Sequence, residues 1–218
     1  MHAMGFFVYF CGMKRFVIFL CVVLWATGSA DAQQLADLWR NSPGETFDAA
    51  AKKARVGIAD FGAAYAKAHD YYPMADEIGQ ALKGKEDPGI TFVLDKPHGY
   101  LSLSHNESSF IREAEMCYWN LPDKTQLFCV KFKDVNDEEE PVILIVFYEY
   151  DGEGSFYYTD VEGRAEMLDN LDMWEGNENL FLPRYGKDIK WGRNNSDEAI
   201  GWYRYKGLEG FKLERVDR

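Results

Sequence analysis

Ile111-Arg112-Glu113-Ala114-Glu115-Met116-Cys117-Tyr118-Trp119 and, a short interval later, Leu127-Phe128-Cys129-Val130-Lys131-Phe132-Lys133-Asp134-Val135 decide how this chain is read. Between them lies Leu121-Pro122-Asp123-Lys124, a composition that turns. A hairpin centred on Asp123 sets Arg112 against Asp134, Glu113 against Lys133 and Glu115 against Lys131. The same register sets Met116 against Val130, Tyr118 against Phe128 and Trp119 against Leu127. Each such cross-strand pair contributes about 0.2–1 kcal/mol. A slip of one residue would lose every pair together and turn each strand's faces over.

This register also opposes Cys117 and Cys129. Directly opposed residues have Cα atoms about 4.5–5.5 Å apart, within reach of a disulfide. Two readings stand: a disulfide between Cys117 and Cys129, or two buried thiols acting as small apolar side chains. Neither cysteine belongs to a Cys-x-x-Cys motif or begins a helix, so nothing marks a redox-active pair.

Outward from this hairpin the period stays near two. Ile90–Leu94 and Gly99–Ser104 flank the turn Asp95-Lys96-Pro97-His98. Pro141–Tyr150 is apolar on both faces, which predicts a central strand. Asp151-Gly152-Glu153-Gly154 turns it back into Ser155–Thr159. Residues 161–170 suit a short helix carrying Met167 and Leu168. Asn179–Leu182, Asp188–Arg193, Ala199–Lys206 and Phe211–Val216 read as further strands. The hairpin succession predicts an antiparallel meander of about eight strands.

Upstream the pattern is helical. Ser42-Pro43-Gly44-Glu45 has the form of a capping box with Pro at the first helical position. Phe47, Ala51, Ala54, Ile58, Phe61, Tyr65 and Ala68 then recur at spacings of three and four, predicting one amphipathic face. Gly57 and Gly62 weaken that helix. Pro73 opens a shorter segment with Met74, Ile78, Ala81 and Leu82. Helices first and strands after predict an α+β fold, the N-terminal helices packed on the meander.

Residues 1–32 have the order of a signal peptide. Met13-Lys14-Arg15 is basic, Phe16–Thr27 carries no charge, and Gly28-Ser29-Ala30-Asp31-Ala32 offers an Ala-x-Ala site before Gln33. The apolar run is well short of the roughly 20 residues that span a bilayer. Met13 makes a more regular start than Met1, and Cys21 lies inside the apolar run rather than at a lipid-attachment site. The expectation is export, to a periplasmic or extracellular location, of one domain over residues 33–218, with no membrane span after cleavage.

The 218-residue chain has 36 acidic and 24 basic side chains, a net charge of −12. That balance excludes a nucleic-acid partner, which requires a basic surface. It also argues against charge-driven binding to anionic membrane.

Chemistry is sparse. No Gly-x-Ser-x-Gly, His-Glu-x-x-His, Walker or dinucleotide-binding pattern occurs, and no cofactor is implied. His98 and His105, with Ser102, Ser104 and Ser108 nearby, superficially suggest a hydrolase, although loop histidines explain the same residues. Asp134, Asp137, Glu138, Glu139 and Glu140 crowd one loop, and Asp169, Asp172, Glu175 and Glu178 another. Neither has the order of a calcium loop, and both read as solvated charge with no metal. Aromatics make up 16% of the chain. Most are expected to pack, but Trp119, Tyr157, Trp202 and Tyr203 are candidates for an aromatic binding surface.

Gly99-Tyr100-Leu101-Ser102-Leu103, Met116-Cys117-Tyr118-Trp119-Asn120 and Phe147-Tyr148-Glu149-Tyr150-Asp151 are similar to segments of small exported proteins of unknown function from Bacteroidetes bacteria. Leu182-Pro183-Arg184-Tyr185-Gly186-Lys187-Asp188-Ile189 and Tyr203-Arg204-Tyr205-Lys206-Gly207 with Phe211 resemble their C-terminal hairpins. The likeness spans about residues 99–211 and consists of turn and core patterns. It implies a bacterial, exported protein and transfers no catalytic residue.

Three functions follow as expectations. The first is a non-enzymatic binding or interaction module of the cell envelope, with a glycan or envelope protein as partner. The second is a glycan or peptide hydrolase. The third is a curved-sheet pocket of the nuclear-transport-factor-like kind, holding a small ligand.

Overall fold

The computed structural model describes residues 46–69, 74–106, 110–136, 142–172, 178–193 and 196–216. The signal-peptide reading, the capping box at Ser42–Glu45, Pro73, Ser108, Asp137–Glu140 and Glu175 lie outside them.

The central hairpin forms in the expected register. β4 (Phe110–Asn120) and β5 (Gln126–Asn136) pair antiparallel, with Arg112, Glu113 and Glu115 opposite Asp134, Lys133 and Lys131 and Cys117 opposite Cys129. Asp123 organises the turn, its carboxylate accepting from the Thr125 N–H at 3.0 Å and hydroxyl at 2.8 Å.

Around this hairpin lie β2 (Ile90–Asp95) and β3 (Tyr100–Asn106) on one side. On the other lie β6 (Val142–Tyr150), β7 (Ser155–Thr159) and β1 (Phe47–Asp48). The seven strands run in the order β1-β7-β6-β5-β4-β3-β2, a meander closed at one end by β1. A second sheet, ordered β11-β10-β9-β8, comprises β8 (Glu178–Phe181), β9 (Ile189–Arg193), β10 (Ala199–Tyr205) and β11 (Phe211–Arg215). The fold is therefore α+β as expected, with the strands divided between two sheets. The division falls where α3 (Arg164–Asp172) follows β7 and precedes the second meander.

α1 (Ile58–Ala68) packs on α2 (Ala75–Leu82) and against one face of the large sheet. Phe61 of α1 is fully buried and stacks on Phe128 of β5 at 4.5 Å between ring centroids. Burying a side chain of that size contributes about 2–3 kcal/mol. Phe47, Tyr65, Tyr148 and Phe156 complete this aromatic layer. His69 belongs to it too, 2% exposed and stacked on Tyr65 at 4.2 Å.

The helix begins later than the apolar stripe predicts. Phe47 lies in β1, and no helix covers Ala51 or Ala54. The backbone there is engaged elsewhere. Gln126 accepts from the Val56 N–H at 2.8 Å and donates to its carbonyl at 3.1 Å. Tyr150 donates its hydroxyl to the Lys53 carbonyl at 2.6 Å. Only after Gly57, whose N–H is accepted by Asp60, does the helix start.

The opposite face of the large sheet packs on the small sheet and α3. Trp119, Cys129, Ile145 and Phe147 meet Met167, Leu180, Trp191, Tyr203 and Phe211 in one core. Gly163 permits the close approach of α3 to β11. Its φ is +92°, and a Cβ there would lie 2.5 Å from the Phe211 carbonyl oxygen. No helix among the described residues is long and apolar enough to cross a membrane.

Candidate functional site

One of the two outer strands of the large sheet, β2, positions the surface of most functional interest. Its residues Ile90, Phe92 and Leu94 alternate with Thr91, Val93 and Asp95. Phe92 pairs with Leu103 and Leu94 with Leu101, both buried beneath the helices, so the even-numbered residues share the helix face. Together with α2 and the loop that follows it, this face forms an open groove of about 1080 Å³. Ile90, Phe92 and Ala81 supply its apolar lining, and Asp76, Glu77, Glu86 and Asp87 its acidic rim. Lys85 is the one cation among the lining residues. Gln80 also lines the groove, and its Oε1 is buried with no hydrogen-bond partner among the described residues.

At the far end of β2, Asp95 is engaged by Arg184 and by His98, whose backbone N–H also donates to it at 3.3 Å. Arg184 Nε reaches it at 2.8 Å and His98 Nδ1 approaches to 2.8 Å. These contacts, Arg184 first, hold the Asp95 carboxyl below the ordinary carboxylate range. Tyr185, 67% exposed, sits edge-on to His98 at 4.8 Å and beneath the Arg184 guanidinium at 5.5 Å.

This arrangement separates the residues of the hydrolase expectation. His98 lies in the turn before β3 and His105 near the end of that strand. The extended stretch from Tyr100 to His105 alone spans roughly 16 Å, which keeps the two histidines at opposite ends of the strand. Ser102 and Ser104 stand on the strand between, in register with Val93 and Thr91.

The aromatic candidates do not form one surface. Trp119 and Tyr203 are 3% and 0% exposed and belong to the core between the sheets. Trp119 donates its indole N–H to the Lys187 carbonyl at 2.8 Å, and Tyr203 exchanges hydrogen bonds with Asn170 and Glu166. Tyr157, 46% exposed, is on β7 of the large sheet, while half-buried Trp202 is on β10 of the small one. The small sheet and α3 cover the face of the large sheet that carries Trp119, so alternation along β4 does not bring it to solvent.

Cys117 and Cys129 are free thiols on the face toward the small sheet, both buried. Burial pushes both well above the ordinary thiol range.

The sequence did not single out the most concentrated buried chemistry, which lies beside them. Lys131 is wholly buried and pairs with Glu115. Its ammonium also reaches the Leu180 carbonyl at 2.8 Å and Asn179 Oδ1 at 3.4 Å. Glu115 Oε2 accepts from the Leu182 N–H at 3.0 Å. Three acceptors surround Lys131 Nζ, and none of its side chain is exposed to a substrate. The arrangement clasps the two sheets. Its readable signal was the Glu115–Lys131 pairing, but pairing alone does not reveal burial.

Of the acidic candidates, Asp134 pairs with Arg112 at 3.1 Å, and Glu178 accepts from the Trp191 indole at 2.6 Å. Among the described residues, no three His, Cys, Asp or Glu side chains converge as a metal site would require.

No protein-family model matches this chain, and neither a curated protein nor a solved structure is similar to it.

Proposed function

We propose that the protein is a non-enzymatic interaction module of a bacterial cell envelope, and that it binds its partner along the groove between α2 and β2. The observation that carries this reading is the outer edge of β2, with no neighbouring strand among the described residues and a half-apolar, acid-rimmed groove beside it. Edge strands left open are templates for association. The separation of His98 from His105 favours binding over hydrolysis. The open form of the groove favours a macromolecular partner over an enclosed small ligand. Export rests on residues 13–32 and on the resemblance to exported bacterial proteins.

The test has two arms. N-terminal sequencing of protein expressed from the full gene in a Gram-negative host should read Gln33 in the periplasmic or extracellular fraction. Retention of Met1 or Met13 in the cytoplasm would overturn the placement. Envelope extract and a glycan array, each probed with the protein, should yield a partner whose binding leaves the partner chemically intact and protects β2 from amide exchange. Cleaved product, or protection elsewhere only, would overturn the interaction reading.

A further inference from the structure

The two sheets have four outer strands, and their edges are managed differently. Sheet edges expose unpaired N–H and C=O groups, and native proteins blunt them by short length, covering or charge. β1 is two residues long. β8 is four residues long, and Glu178, Asn179 and Leu180 on it are buried. β11 carries Lys212, Glu214 and Arg215. Among the described residues, β2 has none of these devices. Ile90-Thr91-Phe92-Val93-Leu94-Asp95 contains no lysine, arginine or proline, and it pairs with β3 through six residues without a register shift. Its one charge, Asp95, sits at the end and is already engaged by Arg184.

We propose that this edge accepts an extended peptide bearing lysine or arginine at alternate positions, which joins the large sheet as an additional strand. The inference rests on the interaction reading above and names the partner's chemistry. Backbone pairing with β2 would supply affinity, and alternation would decide which side chains fit. The occupant's side chains on the helix face would enter the groove, between Phe92 and the rim of Asp76, Glu77, Glu86 and Asp87. A cation at that position finds four carboxylates against Lys85. The unpartnered Gln80 Oε1 is an acceptor beside the same path. A second copy of the chain is the rival occupant. Its net charge of −12 opposes that approach, and Arg184, the cation beside this edge, is already paired with Asp95.

The probes are two synthetic seven-residue peptides, one alternating lysine with valine and one alternating glutamate with valine, titrated against the full chain by fluorescence anisotropy. The lysine peptide should bind and weaken with added salt, and the glutamate peptide should bind at least about tenfold more weakly, as charge complementarity requires. Two further lysine peptides carry N-methyl groups on either the odd or the even residues. Strand pairing uses the backbone N–H groups of alternate residues, so one methylated set should abolish binding and the other should not. Glu77→Gln with Glu86→Gln, two surface changes outside the core, should weaken the lysine peptide about fivefold at low salt while leaving the fold intact by circular dichroism.

Binding that ignores both methylation patterns would overturn strand addition and leave the groove as a charge-matched interaction surface. Equal binding of both peptides would overturn the cationic preference alone. A dimer in solution with β2 protected from exchange would assign the edge to a second copy and overturn the proposal. A monomer that binds neither peptide would overturn it as well, while a partner found in envelope extract would still sustain the interaction reading.

Discussion

Lys131, on β5 of the large sheet, donates its ammonium to the backbone carbonyl of Leu180 on β8 at 2.8 Å, with none of its side chain exposed. A charge so placed is costly to desolvate. It persists because Glu115 beside it is the counter-charge and is itself held by the Leu182 N–H. A buried pair of this kind is weak evidence of net stability, but breaking it strands a charge.

Lys131→Met should therefore destabilise the protein by about 3–5 kcal/mol, because Glu115 loses its counter-ion. Combining it with Glu115→Leu should recover most of that loss, since an apolar pair needs no desolvation. Urea titrations of the two variants and the parent measure both effects. A single variant within about 1 kcal/mol of the parent would show that the clasp carries no such penalty.

Burial pushes the Tyr203 phenol up to about 12 from an ordinary 10.0. The unfolded chain releases that proton earlier than the folded one. The contribution is thus fully present below pH 10 and is lost as pH rises from about 10 through 12. Tyr205 is raised in the same direction by burial. Tyr203→Phe should flatten the alkaline loss of stability, at a cost of about 1 kcal/mol near neutrality for the hydrogen bonds to Asn170 and Glu166. Thermal melts across pH 8 to 11 should show it, and parallel slopes in parent and variant would contradict it.

Cys117 and Cys129 should resist alkylation in the native state even at mildly alkaline pH, because burial suppresses the thiolate that reacts. Peptide-level mass spectrometry after iodoacetamide treatment should find both unmodified until denaturant is added. Protein denatured without reductant decides the disulfide question raised by their opposition: alkylation of both means thiols, and protection of both until reduction means a bridge.

The central hairpin was legible because charge and apolarity agreed on one register. Arg112 with Asp134 and Glu115 with Lys131 left no freedom that Met116 with Val130 did not also remove. The division into two sheets was not legible, since successive hairpins read alike whether or not they share a sheet. The stretch Phe47–Ala54 has helical spacing, but Gln126 and Tyr150, far along the chain, take its backbone groups. No local pattern announces that competition. The open edge of β2 was hidden for a related reason: a strand's sequence does not say whether a neighbour lies beyond it. Lack of lysine on β2 was visible, yet it acquired meaning only once the strand's place in the sheet was known.

Every neighbouring pair in the large sheet is adjacent in the chain except one. β1 joins β7, placing Phe47 against Phe156. The other pairings need only short loops to close, and closing a long loop costs entropy before contacts compensate it. The first strand in the sequence should accordingly be the last to enter the sheet and the first to leave it. Faster amide exchange at Phe47 and Asp48 than along β5 would register that order, and equal protection would contradict it. The aromatic layer under α1 is sealed by a latch rather than by a wall: Phe47, on a two-residue strand, packs over Phe61, Tyr65 and Phe156.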